Sequence, residues 1–342
     1  MSDQMRLFGD VVGHQRVLEL LAREVAAPAN AYLFVGAAGV GKATVARRFS
    51  ALLLCPEAGG HTGECRSCRR VMSAAHPDLI EPDARQGLGV DQARSTIHQA
   101  SLSPVEAARK VFLFDDAGTM TDQAANALLK TLEEPTATSV FVLVAEFEEQ
   151  LPTTVASRCR TIHFGRVGEP MLVSALVERG VEEAQARVVA GLAGGRPGLA
   201  FSLLHSDAAS AFRQQWLAVP SRASSRPGES FRLAAEMLAT VEPLLEDAGE
   251  ELPKDERMRR RGRLALLSAG LELVASWYLD AAAVQLGGPI RNKDVPLAML
   301  TSVTPGDAVT RAERTLDAAV DLEANLRPQL LLADLFADLA LD

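Results

Sequence analysis

Through the first 165 or so residues, short runs of consecutive apolar positions alternate with stretches in which apolar residues return every third or fourth place. The runs are Ala31 to Val35, Val111 to Phe114, Ser139 to Val144 and Thr161 to Phe164. Such runs are the pattern of strands buried on both faces of a parallel sheet, and Asp78 to Glu81 reads as a shorter strand of that kind. The other stretches predict helices. His14 to Ala26 places Val17, Leu18, Leu20, Leu21 and Val25 on one side. The segment after Thr121 places Ala125, Leu128, Leu129 and Leu132 at i, i+3, i+4 and i+7, one apolar stripe for the sheet. Thr121 is its expected N-cap, with Asp122 in the first turn, and Pro135 its stop. Helices are also expected over Ala43 to Leu54 and over Val90 to Ala100, the latter opened by Asp91. From Gly168 only helical periodicity remains. Three short helices run to about His205, the last two separated by Gly194-Gly195-Arg196-Pro197-Gly198. Ser221 to Glu229, rich in Ser, Arg and Pro, reads as a linker or loop, and the remainder to Asp342 is helix-like.

Alternating strands and helices predict an α/β domain with a parallel sheet and helices on both faces, followed by helical domains. A chain of 342 residues exceeds one ordinary core. With 48% apolar and 23% charged residues it belongs among soluble globular proteins. Its apolar runs fall short of the roughly 20 residues of a membrane span. MSDQMRLFGD lacks a basic start followed by an apolar stretch, so no secretory signal and no membrane association are expected, and the location expected is cytoplasmic. A net charge of −9 argues against gripping DNA over the whole surface. Arg259, Arg260, Arg261 and Arg263 form a local basic run, most simply a solvated helix face.

The chemistry concentrates in three places. Gly36-Ala37-Ala38-Gly39-Val40-Gly41-Lys42, between a strand and a helix, fits the phosphate loop G-x-x-x-x-G-K. Its glycines let backbone N–H groups curl around an anion, and the helix start and Lys42 add positive charge. The next residue should carry a hydroxyl for Mg²⁺ but is Ala43; Thr44 lies about 100° further round the helix. Phosphate binding with poor Mg²⁺ organisation is therefore expected of Gly36, Gly39, Gly41, Lys42 and Thr44. Asp115 and Asp116 end the central strand at the edge where ligands sit in open α/β sheets. Third, three of the four cysteines are Cys55, Cys65 and Cys68. Cys65-x2-Cys68 has the spacing of a zinc knuckle, with Cys55 a third thiolate and His61 a candidate fourth ligand of a structural Zn²⁺. A metal-free relic, with His61 an ordinary loop residue, fits the same spacing.

The wording around these motifs, DQAANALLKTLEEP after the acidic pair, the cysteine insertion followed by His76-Pro77-Asp78, and Leu151-Pro152-Thr153 leading to Ser157-Arg158-Cys159, resembles the AAA+ clamp-loader family of bacterial DNA polymerase III. Phe8 to Gln15 resembles the segment that lies against adenine, although an ordinary N-terminal helix explains it equally. The resemblance is good over residues 5–205 and afterwards rests on helical character alone. It implies a nucleotide-binding α/β domain over residues 1–165 with the knuckle inserted at 55–68, a helical lid over 166–206, and a helical collar for oligomerisation over 207–342. Asp115 becomes the Mg²⁺-side carboxylate. Asp116 stands where an active ATPase has Glu, no Thr or Asn ends the strand before Ala145-Glu146-Phe147, and no sensing arginine follows Pro197-Gly198, although Arg196 is close. Arg158 becomes a finger presented to a neighbour's nucleotide. Together these imply a stationary subunit with weak or vestigial ATP/Mg²⁺ use, working with other loader subunits in a hetero-pentameric ring, with the sliding clamp, and with primer-template DNA through the complex. The alternative is an active ATPase motor subunit.

Overall fold

The computed structural model describes residues 6–56, 63–82, 88–204, 208–247, 256–323 and 327–340. It divides into two compact units, Met1–Met171 and Leu172–Asp342.

The first unit contains α1 (Gln15–Glu24), β1 (Ala31–Val35), α2 (Lys42–Leu54), α3 (Arg66–Met72), β2 (Leu79–Ile80), α4 (Val90–Ser101), β3 (Lys110–Phe114), α5 (Asp122–Glu133), β4 (Ser139–Ala145), α6 (Thr153–Ala156) and β5 (Arg160–His163). The strands form one sheet in the order β2-β3-β4-β1-β5, every neighbouring pair parallel. The long apolar runs are strands for the expected reason: both faces of the sheet are covered. Tyr32, Phe34, Val111, Leu113, Val142 and Ile162 join one core with α1 and α2. The alternate residues Leu33, Val35, Phe112, Phe114, Phe141 and Leu143 join a second core with α4 and α5. Phe112 and Phe141, partners across β3 and β4, stack with centroids 4.8 Å apart.

Local signals start and stop these helices. Thr121 Oγ1 accepts the Ala124 N–H at 3.2 Å, capping α5, and Pro135 follows its end. The fully buried carboxylate of Asp78, just before β2, accepts the N–H groups of Val105, Glu106 and Ala107 at 2.6, 2.9 and 2.8 Å. That turns the chain out of α4 and into β3.

The second unit is helical. The boundary falls on α7 (Glu169–Val177); α8 (Glu183–Ala193), α9 (Pro197–Ser202), α10 (Ala208–Leu217), α11 (Val219–Arg222), α12 (Pro227–Ala239), α13 (Val241–Asp247), α14 (Glu256–Leu286), α15 (Leu297–Leu300), α16 (Pro305–Glu323) and α17 (Pro328–Asp338) follow. The three helices expected after Gly168 are present. The expected loop from Ser221 to Glu229 is largely helix, with only residues 223–226 between α11 and α12. Pro227 explains the difference: in the first turn of a helix its fixed φ is preorganised and its missing N–H costs nothing. Over Gly262–Leu286, α14 is long and apolar enough to cross a membrane, but 72% of its most apolar 18 residues are buried inside the protein. Its Trp277 and Tyr278 are almost fully buried. At Gly270 a Cβ would come within 2.3 Å of the Trp216 ring, so α14 needs a bare backbone where that indole crosses it.

Candidate nucleotide site, cysteine cluster and arginine

Because the strands are parallel, their C-terminal ends share one edge, and the loop from Gly36 to Gly41 leaves β1 there. Gly36 cannot carry a side chain, since a Cβ would lie 2.2 Å from the Phe164 carbonyl oxygen. Gly41 has φ +103° with open space where its Cβ would be, so backbone conformation, not crowding, requires the glycine. The Gly36 N–H donates to the Glu146 carbonyl at 3.2 Å, and His14 Nε2 lies 2.8 Å from the Val40 carbonyl oxygen. Lys42 is 93% buried against the loop, its Nζ donating to the Gly36 and Ala37 carbonyls at 2.5 and 2.8 Å. An entering phosphate must exchange with those carbonyls for the ammonium. On the first turn of α2, Ala43 and Thr44 are both exposed.

Asp115 is exposed and Asp116 half-buried just past β3. β4 separates β3 from β1, so loop and carboxylates emerge from the same edge two strand spacings, about 10 Å, apart. The end of β4 serves the loop through the Glu146 carbonyl, its last residue Ala145 being buried.

Arg158 sits in the turn between α6 and β5. Its Nη2 pairs with a Glu133 carboxylate oxygen at the end of α5, and its Nη1 donates to the Thr154 carbonyl at 2.6 Å. The Arg158 side chain remains 34% exposed. Next to it, Cys159 packs partly buried against the second core, and burial pushes its thiol up to about 12. In the second unit Arg196 is buried, donates to the Ala193 carbonyl at 2.9 Å and pairs with Glu272 at 3.4 Å. That is a structural arginine.

Cys55 ends α2 and Cys65 caps α3, which brings residues ten apart in sequence together: their Sγ atoms are 3.7 Å apart. Cys68, one turn into α3, is fully buried; its N–H donates to Cys65 Sγ at 3.4 Å. Burial first, then the neighbouring thiols, raises its pKa. All three sulfurs lie within 4.8 Å of one another, and such a cluster can hold a metal ion. His61 lies outside the described residues.

The geometry thus brings together the loop, the acidic pair and the strand ends, and separately the three thiols. Sequence reasoning missed Glu133 as the partner of Arg158 and Asp78 as the anchor of residues 105–107. Both pairings join residues 25 or more positions apart.

Residues 13–168 match the profile of the family described as "DNA polymerase III, delta subunit". The DNA polymerase III subunit delta' of Pseudomonas aeruginosa is 40% identical over 136 residues, 38% of this chain and 42% of the relative. The delta' subunit of Bacillus subtilis is 35% identical over 184 residues, 52% of this chain and 55% of the relative. The tau subunit of Salmonella typhimurium is 38% identical over 160 residues, 46% of this chain and 25% of the relative. The chain therefore spans about a quarter to a half of the length of the relatives it matches. Over its first unit, this chain is thus similar to the DNA polymerase III delta-subunit family and to the delta' and tau subunits of that polymerase.

Proposed function

We propose that this chain is the delta'-type subunit of a sliding-clamp loader in DNA replication: a stator that contributes Arg158 to the ATP of an adjacent motor subunit and turns over little ATP itself. One observation carries the reading. The loop from Gly36 to Gly41 requires glycine sterically at Gly36 and conformationally at Gly41, which supports a phosphate loop, yet the residue after Lys42 is Ala43 and Thr44, next along, is exposed. A loop of this kind can hold phosphates through Lys42 and its N–H groups, with Asp115 and Asp116 on the same edge. It lacks the hydroxyl that binds Mg²⁺ against the β- and γ-phosphates. On this reading residues 166–206 act as lid and 207–342 as collar. The chain works in the cytoplasm in a hetero-pentameric ring with other loader subunits, the sliding clamp and primer-template DNA.

The cysteine cluster in this reading is a structural zinc site. With Zn–S bonds of about 2.3 Å, tetrahedral thiolates stand about 3.8 Å apart, close to the 3.7 Å between Cys55 and Cys65. A fourth ligand, His61, would close it and leave no position for substrate.

The motor alternative has its own support, since the tau relative matches at an identity close to that of the delta' relatives. ATP binding and turnover by the isolated chain beside its Lys42→Ala variant separates the two. The stator reading expects negligible turnover and phosphate binding that responds little to Mg²⁺. Turnover abolished by the substitution would establish a motor.

A further inference from the structure

The guanidinium of Arg158 is held from two sides by elements of the same unit. Glu133, the last residue of α5, supplies a carboxylate oxygen to Nη2, while the Thr154 carbonyl near the end of α6 takes Nη1 at 2.6 Å. Ser157 Oγ stands 3.5 Å from the same Nη1. An arginine free on a turn samples many rotamers, and fixing one costs up to about 2 kcal/mol of side-chain entropy. A planar fork gripped at both terminal nitrogens loses that freedom in advance. The pair is too exposed to matter much for folding: Glu133 and Arg158 are 45% and 34% exposed, and such pairs contribute little to stability. Its consequence is orientation. Three of the five guanidinium N–H groups are not used by these two contacts, so an incoming phosphate can be met without breaking either of them.

We propose that Glu133 is the positioning residue of the arginine finger, fixing the direction in which Arg158 presents its guanidinium to the neighbouring subunit's nucleotide. The proposal rests on the finger reading above and adds to it a residue 25 positions upstream that acts only through Arg158. Removing Glu133 leaves the arginine present but unaimed, and misplacement by about 1 Å can cost on the order of 100-fold. Loss of the guanidinium itself removes a contribution of about 10³-fold or more.

The test is a double-mutant cycle on the reconstituted loader, with DNA- and clamp-stimulated ATP turnover as readout. Glu133→Gln is expected to lower kcat about 10-fold with KM for ATP nearly unchanged. Glu133→Asp should restore part of the loss. Adding Glu133→Gln to Arg158→Ala should cost nothing beyond Arg158→Ala alone, because a positioning residue has nothing left to position. Circular dichroism melting of each variant chain separates folding from aiming, and the Glu133→Gln chain should melt with the parent. Unchanged kcat in Glu133→Gln beside an impaired Arg158→Ala would overturn the positioning role and leave the finger standing. Multiplicative losses in the double variant would do the same. Full activity of Arg158→Ala would remove the finger and the proposal with it.

Discussion

Asp78 shows how much one buried side chain can organise. Burial alone would raise its carboxyl, but the three N–H groups of Val105, Glu106 and Ala107, with His76 nearby, hold it below the ordinary carboxylate range. In Asp78→Asn the amide NH₂ must face backbone donors, leaving at least one buried N–H unmatched. The expected cost is about 2–4 kcal/mol at neutral pH, read as a shift in the denaturation midpoint. The sign with pH follows. A carboxyl whose folded pKa is depressed contributes stability above its unfolded value, near 3.9, and loses it as pH falls from there toward the folded value. The gap between parent and variant should therefore be full at pH 7 and shrink below about pH 4. His76 adds an earlier acid step. Its ring is 99% buried with Nδ1 accepting the Asp78 N–H at 3.1 Å, and burial lowers its pKa. Stability present above its unfolded pKa of about 6.5 is lost as pH falls through it. A gap between parent and Asp78→Asn that stayed constant from pH 7 to pH 3 would contradict this account of the carboxylate.

At the scale of elements, the cysteine cluster is a joint: one thiol ends α2, one caps α3 and one lies a turn into α3. A metal there would tie together two helices that already meet through Ser67 Oγ, which donates to the Leu54 carbonyl at 3.2 Å. If zinc is the ion, the purified chain carries about one per molecule. At roughly 2–4 °C per kcal/mol for a unit of this size, a site contributing about 3 kcal/mol lowers Tm by roughly 6–12 °C when chelated. Cys65→Ser should lose the metal, and His61→Ala should weaken binding if the imidazole is the fourth ligand. A metal-free chain with an unchanged melt in chelator would end the zinc reading. The first helix of this joint and the sheet were legible in the sequence, because apolar runs and 3.6-residue stripes report burial on one or two faces directly, whereas the short helix Arg66–Met72 was not expected. Val111 to Phe114 and the Ala125-Leu128-Leu132 stripe lie buried as their periods require. The Cys65-x2-Cys68 spacing was readable too, since one helical turn fixes it. Tertiary partners were not. Nothing local to Glu133 or Arg158 announces their pairing, and Pro227 reads as a loop residue because proline breaks helices in most positions but opens them in one.

At the scale of the whole molecule the question is what touches DNA. Acidic residues outnumber basic ones, 44 to 35, and the isoelectric point is near 5.3. Duplex DNA is bound mainly by neutralising phosphates with clustered Lys and Arg, and each such contact adds to the salt dependence. The most basic local stretch begins α14, where Arg259 and Arg260 are exposed and Arg263 is paired with Glu242. Two exposed arginines neutralise too few phosphates to hold a duplex at physiological salt, where charges beyond about 8 Å are screened. The isolated chain is therefore expected to bind primer-template DNA no more tightly than about 10⁻⁵ M at 150 mM salt, with a shallow salt slope. Reversing Arg259 and Arg260 to Glu should leave that weak binding within error, measured by fluorescence anisotropy on a labelled primer-template. Sub-micromolar affinity with a slope of several would make this chain a DNA-gripping module in its own right. The weak result would leave any grip on DNA to surfaces outside this chain. A chain this acidic has little positive charge to offer a duplex by itself.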